Sequence, residues 1–155
     1  MVQLDNNEHT ISFYLELLSD MPCWAVVAGE GTGSMVSLSF GKKFLREYPS
    51  KNENLTHDSA TYDAELELFI QFADWQILDV NQNNLVVCNC DSCNNNDGEM
   101  VSGLNQLINK KVVSTMLDFN GKDFELNFEG GLKLCVICQV DIIPDCIDYD
   151  FYYRC

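Results

Sequence analysis

The cysteines are the residues whose type and spacing come closest to a recognisable chemistry. Cys88, Cys90 and Cys93 lie within six residues of one another, and Cys135 and Cys138 form a second pair further along the chain. Zinc takes four thiolate or imidazole ligands, commonly from two such short groups. By inventory alone, the chain has enough ligands for a structural zinc site.

The second pair lacks the local geometry that a zinc site needs. Val136 and Ile137, between the two cysteines, favour a β-strand, and residues i and i+3 of a strand face opposite sides of the sheet. We therefore expect Cys135 and Cys138 to be small buried hydrophobic residues, and we expect no metal or other cofactor. A metal-binding or thiol-based module built on the cluster at residues 88–93 is the alternative interpretation.

Two polar segments resemble ion-binding loops but lack the residues that bind the ion. If the segment Asn94–Glu99 is aligned with a calcium loop, Cys93 and Leu104 stand where the first and last carboxylates are required. The glycine-rich segment Gly29–Ser34 contains no lysine, which a phosphate-binding loop requires. Both segments are typical of turns.

The sequence contains no recognisable catalytic arrangement. A nucleophile needs an activating base. The chain has only two histidines, His9 and His57, both in polar segments. The serine and zinc-protease signatures that carry such chemistry are absent from the sequence. We expect a binding protein rather than an enzyme.

Hydrophobic periodicity predicts the elements around these residues. Alternating apolar residues indicate strands, and apolar residues at helical spacing indicate two helices, the first capped by Thr10. Glycine-containing turns at residues 29–33, 120–121 and 130–131 predict hairpins and therefore antiparallel neighbours. The prediction is an α+β fold, mainly an antiparallel β-sheet in hairpins, with one N-terminal and one central helix. The predicted helices are 10–18 and 99–109, the predicted loops are 47–63 and 89–98, and the predicted strands are 23–28, 36–40, 64–72, 75–80, 84–88, 112–119, 124–128, 132–140 and 147–153.

Length and charge restrict the class of protein further. The 155 residues suit a single α+β domain over 1–155, and the net charge of −15 disfavours nucleic acids and anionic membranes as partners. No apolar run approaches the roughly 20 residues of a membrane span. The first residues lack the basic and apolar regions of a signal peptide. We expect a cytoplasmic protein with reduced cysteines.

The C-terminal strand carries the densest acidic pattern. Apolar and aromatic side chains at residues 147, 149, 151 and 153 alternate with Asp148, Asp150 and Tyr152. One face of this strand should meet the core and the other should meet solvent. Clustered carboxylates beside a tyrosine are typical of surfaces that bind basic side chains. Asp141 and Asp145, just before the strand, extend the same acidic patch.

The whole pattern resembles small bacterial immunity-type proteins of unassigned function from toxin–immunity systems, including contact-dependent growth inhibition. The resemblance covers Pro22 to Tyr153 and rests mainly on turn and core positions. It implies the fold and a role as a toxin inhibitor, and it carries over no catalytic residues. The segments that carry it are Trp24–Gly29, Gly31–Ser34, Leu38–Gly41, Trp75–Leu78, Leu104–Ile108, Val112-Val113, Asp123–Phe128 and Gly131–Leu134.

These observations together predict an immunity protein that binds and neutralises a cognate basic toxin domain, such as a nuclease. An acidic surface would steer the complex together and cover a cationic active site. The sequence does not fix the oligomeric state. The predicted partner-binding residues are Asp141, Asp145, Asp148, Asp150 and Tyr152, with Asp91, Asp97 and Glu99 from the loop before the central helix.

Overall fold

The computed structural model describes residues 10–29, 32, 35–89, 97–138 and 148–154. Three α-helices and nine strands form within these ranges. The helices are α1 (Ile11–Leu18), α2 (His57–Thr61) and α3 (Glu99–Asn105), and a 3-10 turn covers Glu129–Gly131. The strands are β1 (Pro22–Val27), β2 (Val36–Leu45), β3 (Tyr62–Ile70), β4 (Asp74–Asp79), β5 (Asn84–Cys88), β6 (Lys110–Leu117), β7 (Phe124–Phe128), β8 (Leu132–Ile137) and β9 (Tyr149–Tyr153).

All nine strands belong to one antiparallel sheet in the order β5-β4-β8-β7-β6-β1-β2-β3-β9. The α+β, mainly antiparallel prediction is therefore confirmed. Five pairs join consecutive strands, and the connection from β2 to β3 is long enough to contain α2. Three pairs join strands that are distant in sequence, namely β1 with β6, β4 with β8 and β3 with β9.

Aromatic rings join the two halves of the sheet across one hydrophobic core. The pairing of β1 with β6 is short, and it links one half (β1, β2, β3 and β9) to the other (β4 to β8). The Phe40 ring lies 6.4 Å from that of Phe128, and the Phe124 ring lies 5.8 Å from that of Phe151. The apolar faces of both halves therefore meet, which accounts for the alternation of buried and exposed residues along β3 and β7.

The two longer helices close the core at different places. The Tyr14 ring of α1 stacks on Phe151 of β9, with 5.1 Å between centroids, and Thr115 of β6 donates a hydrogen bond to the Leu15 carbonyl. In α3, a Cβ at Gly103 would lie only 2.5 Å from a methyl carbon of Val87. This glycine lets α3 approach β5 closely.

Four local predictions differ from the structure. The segment 47–63, predicted as a loop, contains α2, whose five residues are too few for an apolar period; the Thr56 hydroxyl caps it by accepting from the Ser59 N–H. The central helix, predicted to reach residue 109, ends at Asn105, because the next three N–H groups bond three residues back instead of four. Asn109 then has a positive φ, and its N–H bonds to Cys23 O. β2 continues through a bulge at Gly41 to Leu45. Thr10 occupies the N-cap of α1, yet its side chain makes no capping hydrogen bond.

No helix in the part of the chain that the structure describes is long and apolar enough to cross a membrane.

Candidate binding groove

The register of the second half of the sheet lines up side chains on its outer face. Met116 of β6 lies opposite Glu125 of β7, which lies opposite Cys135 of β8, which in turn lies opposite Gln76 of β4. Side chains alternate along each strand, so these residues share the face that points away from the core. One row of mixed apolar and acidic character therefore crosses four strands.

A second row lies next to the first, towards the end of the sheet. Ile137 ends β8, and Asp118 and Asp123 flank the turn that joins β6 to β7. The Asp118 N–H donates to the Asp123 carbonyl over 2.8 Å, which closes this turn. The two rows enclose a groove of about 280 Å³. We call it the acidic groove and define it by Met116, Asp118, Asp123, Glu125, Cys135 and Ile137.

Large apolar side chains stand exposed in and beside the acidic groove. Met116 is 53% exposed and Ile137 is 46% exposed, and both line the groove. Phe119 follows Asp118 in the turn and is fully exposed. An exposed apolar patch with polar residues around it is the composition of a protein-binding surface rather than of an ordinary solvated face.

The two aspartates of the groove have no cationic partner among the residues that the structure describes. Asp118 Oδ1 accepts from the Phe119 N–H, and Asp123 Oδ1 accepts from the Cys138 N–H. These bonds fix the orientation of each carboxylate, while neither Oδ2 receives a hydrogen bond within the described ranges. The groove therefore holds two oriented negative charges whose outer oxygens are available to a ligand.

Glu125 differs from the two aspartates, because the chain supplies its counter-ion. Lys133 Nζ lies 2.9 Å from Glu125 Oε2. The hydrogen bond to Glu125 raises the pKa of Lys133, so the lysine remains charged. Cys135 Sγ lies 3.9 Å from Glu125 Oε1, and burial together with that carboxylate raises the pKa of the Cys135 thiol. Cys135 is therefore a protonated thiol in the groove floor, unsuited to nucleophilic attack.

Asp148 adds to the negative charge at the same end of the sheet. Its backbone carbonyl accepts from three N–H groups, those of residues 71–73, and this holds it beside Cys138. Burial raises the pKa of the Cys138 thiol to about 12, and the charges of Asp148 and Asp123 contribute to the same shift. The Tyr149 hydroxyl donates to the Lys122 carbonyl over 2.6 Å. The start of β9 is thereby attached to the turn that carries the groove.

Of the predicted partner-binding residues, Asp148 lies nearest the groove: it is beside Cys138, whose N–H bonds to Asp123, but it does not line the groove. Asp97 and Glu99 are exposed at the start of α3, and no described contact joins them to the groove. Tyr152 is half-buried on β9. Asp91, Asp141 and Asp145 lie outside the described residues.

The expectation that Asp150 lies on a solvated face is wrong. Asp150 is only 8% exposed, and its Oδ1 accepts from the Phe151 N–H of the same strand. The carboxylate also interacts with Tyr152, whose pKa is raised by burial and by Asp150. Because the carboxylate turns back onto its own strand, Asp150 belongs to the structure of β9 and cannot act as an accessible docking charge.

The cysteines that the structure describes have separate surroundings. Cys23, Cys135 and Cys138 are free thiols. Cys135 faces Glu125 on the outer face, whereas Cys138 lies beside Asp123 and Asp148, so the two do not share a set of neighbours. Within the described ranges, no three histidine, cysteine or acidic side chains are placed to hold a metal. Cys90 and Cys93 lie outside those ranges, so the alternative based on residues 88–93 stays a prediction.

Sequence reasoning missed Met116, Asp118, Asp123 and Ile137. One signal was present, since Asp118 and Asp123 flank the hairpin turn at Asn120-Gly121 with a phenylalanine between them. The pairing that brings Ile137 alongside has no local signal. No protein-family model, curated protein or solved structure matches the chain.

Proposed function

We propose that this protein is a cytoplasmic immunity protein of a bacterial toxin system, which binds a cognate basic toxin domain and blocks its activity. The observation that supports the proposal most is the acidic groove. It combines exposed Met116 and Ile137 with the oriented carboxylates of Asp118 and Asp123. A surface of this composition suits a cationic partner that also presents apolar contact area.

Neutralisation would follow from occupation of the toxin's cationic surface. A basic nuclease must attract a phosphate backbone, and the same positive field attracts a protein with a net charge of −15. The groove would then exclude water from the central contacts, where each buried charge pair contributes most. We expect an association rate that falls steeply as salt rises, because ions screen the steering field.

The test is co-expression of this protein with the product of the neighbouring gene. We expect a one-to-one complex in a pull-down, and growth of cells that otherwise die when the neighbour is expressed alone. The double variant Asp118→Lys/Asp123→Lys should slow association about tenfold or more and reduce protection.

A matched control uses the same change of charge in the segment between β2 and α2, where Glu47 and Glu53 are exposed. The variant Glu47→Lys/Glu53→Lys alters the net charge equally, so it reports the general effect of charge. If association slows more in the groove variant than in the control, the partner contacts the groove. If association slows equally in both variants, only long-range attraction is involved. If the neighbouring product does not bind, and its expression leaves cells unharmed without this protein, the immunity proposal fails.

A further inference from the structure

The acidic groove has room for one long side chain. Its volume of about 280 Å³ is below that of most small-molecule sites. Exposed Met116 and Ile137 provide apolar contact, while Asp118 and Asp123 provide charge at the end of the sheet. A ligand that matches both features has an apolar stem and a positively charged head.

We propose that the groove is the anchor site for a single arginine side chain of the partner protein. The methylene stem would lie against Met116 and Ile137, as long basic side chains do on apolar surface. The guanidinium would meet the outer carboxylate oxygens of Asp118 and Asp123. The identity of the partner that supplies the arginine rests on the proposed function. The preference for an arginine side chain rests on the groove alone.

Charge and geometry favour arginine over other occupants. A planar guanidinium has several donors in fixed directions and is less strongly hydrated than an ammonium group, so it pairs well with two carboxylates. An acidic or neutral polar side chain would leave both aspartates without a counter-ion. Lys133 is bonded to Glu125, which neutralises the neighbouring row. Lys122 lies in the same turn as the two aspartates and its charge reaches Cys138, but it forms no ion pair with either aspartate among the described residues, so both can take an external cation.

The test is a titration of the full-length protein with N-acetyl-arginine amide, followed by methyl and amide NMR. We expect saturable shifts, at millimolar ligand, confined to Met116, Ile137 and the turn at residues 118–123. N-acetyl-citrulline amide has nearly the same shape without the charge and should produce no such shifts. The variant Asp118→Asn/Asp123→Asn should weaken arginine binding about tenfold, since two charge pairs are lost.

Two further variants keep this test interpretable. Asparagine retains the oxygen that accepts from the Phe119 or Cys138 N–H, so the groove variant should fold. The control Glu47→Gln/Glu53→Gln removes two exposed charges between β2 and α2, away from the groove, and should bind arginine unchanged. Met116→Ala, which shortens an exposed side chain, should weaken binding about threefold through lost contact with the stem.

Several outcomes would overturn the arginine site. These are equal shifts with citrulline, shifts spread over the whole acidic surface, or unchanged binding to the groove variant. A toxin complex that is unaffected by Asp118→Asn/Asp123→Asn would also overturn it, while leaving the immunity role intact. If arginine binds at the groove but no toxin partner is found, the result supports the arginine site and contradicts the proposed function.

Discussion

Two regions at the surface of this protein differ in whether their charged side chains are paired within the chain. At the basic corner, formed by Lys43, Arg46, Asp58, Asp63 and Arg154, every cation has an acidic partner. At the acidic groove, Asp118 and Asp123 have none among the described residues. The chain has only nine basic residues against 24 acidic ones, and three of the nine are paired at this corner.

Aromatic rings reinforce the basic corner. Lys43 Nζ lies 5.1 Å from the centre of the Trp24 ring, and Arg154 lies 5.2 Å from that of Phe44. A cation held by both a carboxylate and a ring is fixed in place and is satisfied within the chain. The comparison suggests that the corner stabilises the fold, whereas the groove, whose charges lack internal partners, is the region suited to a ligand.

β9 connects the two regions. Its start is attached to the groove through Tyr149, and the residue that follows its end, Arg154, pairs with Asp63 at the corner. Between them lies the buried Asp150. A change that loosens β9 should therefore affect both regions at once.

The largest expected effect comes from Asp150→Lys. A buried carboxylate that satisfies its own strand would be replaced by a buried ammonium group, so we expect a loss of about 3 kcal/mol or more in the free energy of unfolding. Chemical denaturation measures it. Asp148→Lys, at a half-exposed position, is the control and should cost less than about 1 kcal/mol. Equal losses would show that the burial of Asp150 is unimportant.

The next prediction concerns alkaline pH. The thiols of Cys23 and Cys138 have pKa values raised from 9.0 to about 12, mainly by burial. Below the unfolded pKa, both states bind the proton and stability is unchanged. As pH rises above that value towards the folded one, only the unfolded state releases the proton, so stability falls. We expect the melting temperature to drop by a few degrees between about pH 9 and 11. The melting temperature of the Cys138→Ala variant should drop less over the same pH range. If its curve is identical to that of the unchanged protein, the Cys138 thiol does not contribute to the pH dependence.

A smaller effect should have opposite signs in the two regions. Asp63 bridges two arginines, so Asp63→Asn leaves both without a partner and should cost about 1 kcal/mol, given that the pairs are partly exposed. Asp118→Asn/Asp123→Asn removes like charges and should change stability by less than about 0.5 kcal/mol, or increase it. Thermal unfolding at low and high salt tests this. Destabilisation by both variants would remove the contrast between corner and groove.

The smallest effect uses Cys138 as a sensor of the local field. Asp148 raises the pKa of this thiol, so Asp148→Asn should lower it and increase the reactive thiolate fraction. We expect severalfold faster alkylation of Cys138 by iodoacetamide near pH 9, measured by site-resolved mass spectrometry. Cys135, whose pKa is raised by burial and Glu125, serves as the internal reference. An unchanged ratio of the two rates would mean that Asp148 does not reach Cys138.

The strands were predictable because their signals are local. A short apolar run identified Asn84–Cys88, and the alternation of apolar and polar residues identified Phe124–Phe128, both with the observed bounds. The glycine-containing turns identified the hairpins. The short helix His57–Thr61 escaped prediction, because five residues cannot display an amphipathic period.

The groove and the position of Asp150 could not be read from the same signals. Ile137 reaches Asp118 and Asp123 only because β8 pairs with both β4 and β7, and no local pattern specifies such partners. In an ideal strand, the alternation of residues would place Asp150 on the solvated face. In this structure its side chain bonds to the backbone of its own strand, and the residues that surround β9 determine that conformation.

The three pairings between distant strands have a kinetic consequence. Hairpins such as β6–β7 close short loops and form within roughly microseconds. The β3–β9 pair must wait for the ends of a segment of just over half the chain to meet, and loop entropy opposes that step. We expect refolding on the scale of milliseconds to seconds, through a species with formed hairpins but an unattached β9. That species would have an intact hairpin turn with Asp118 and Asp123 before the last strand attaches beside it.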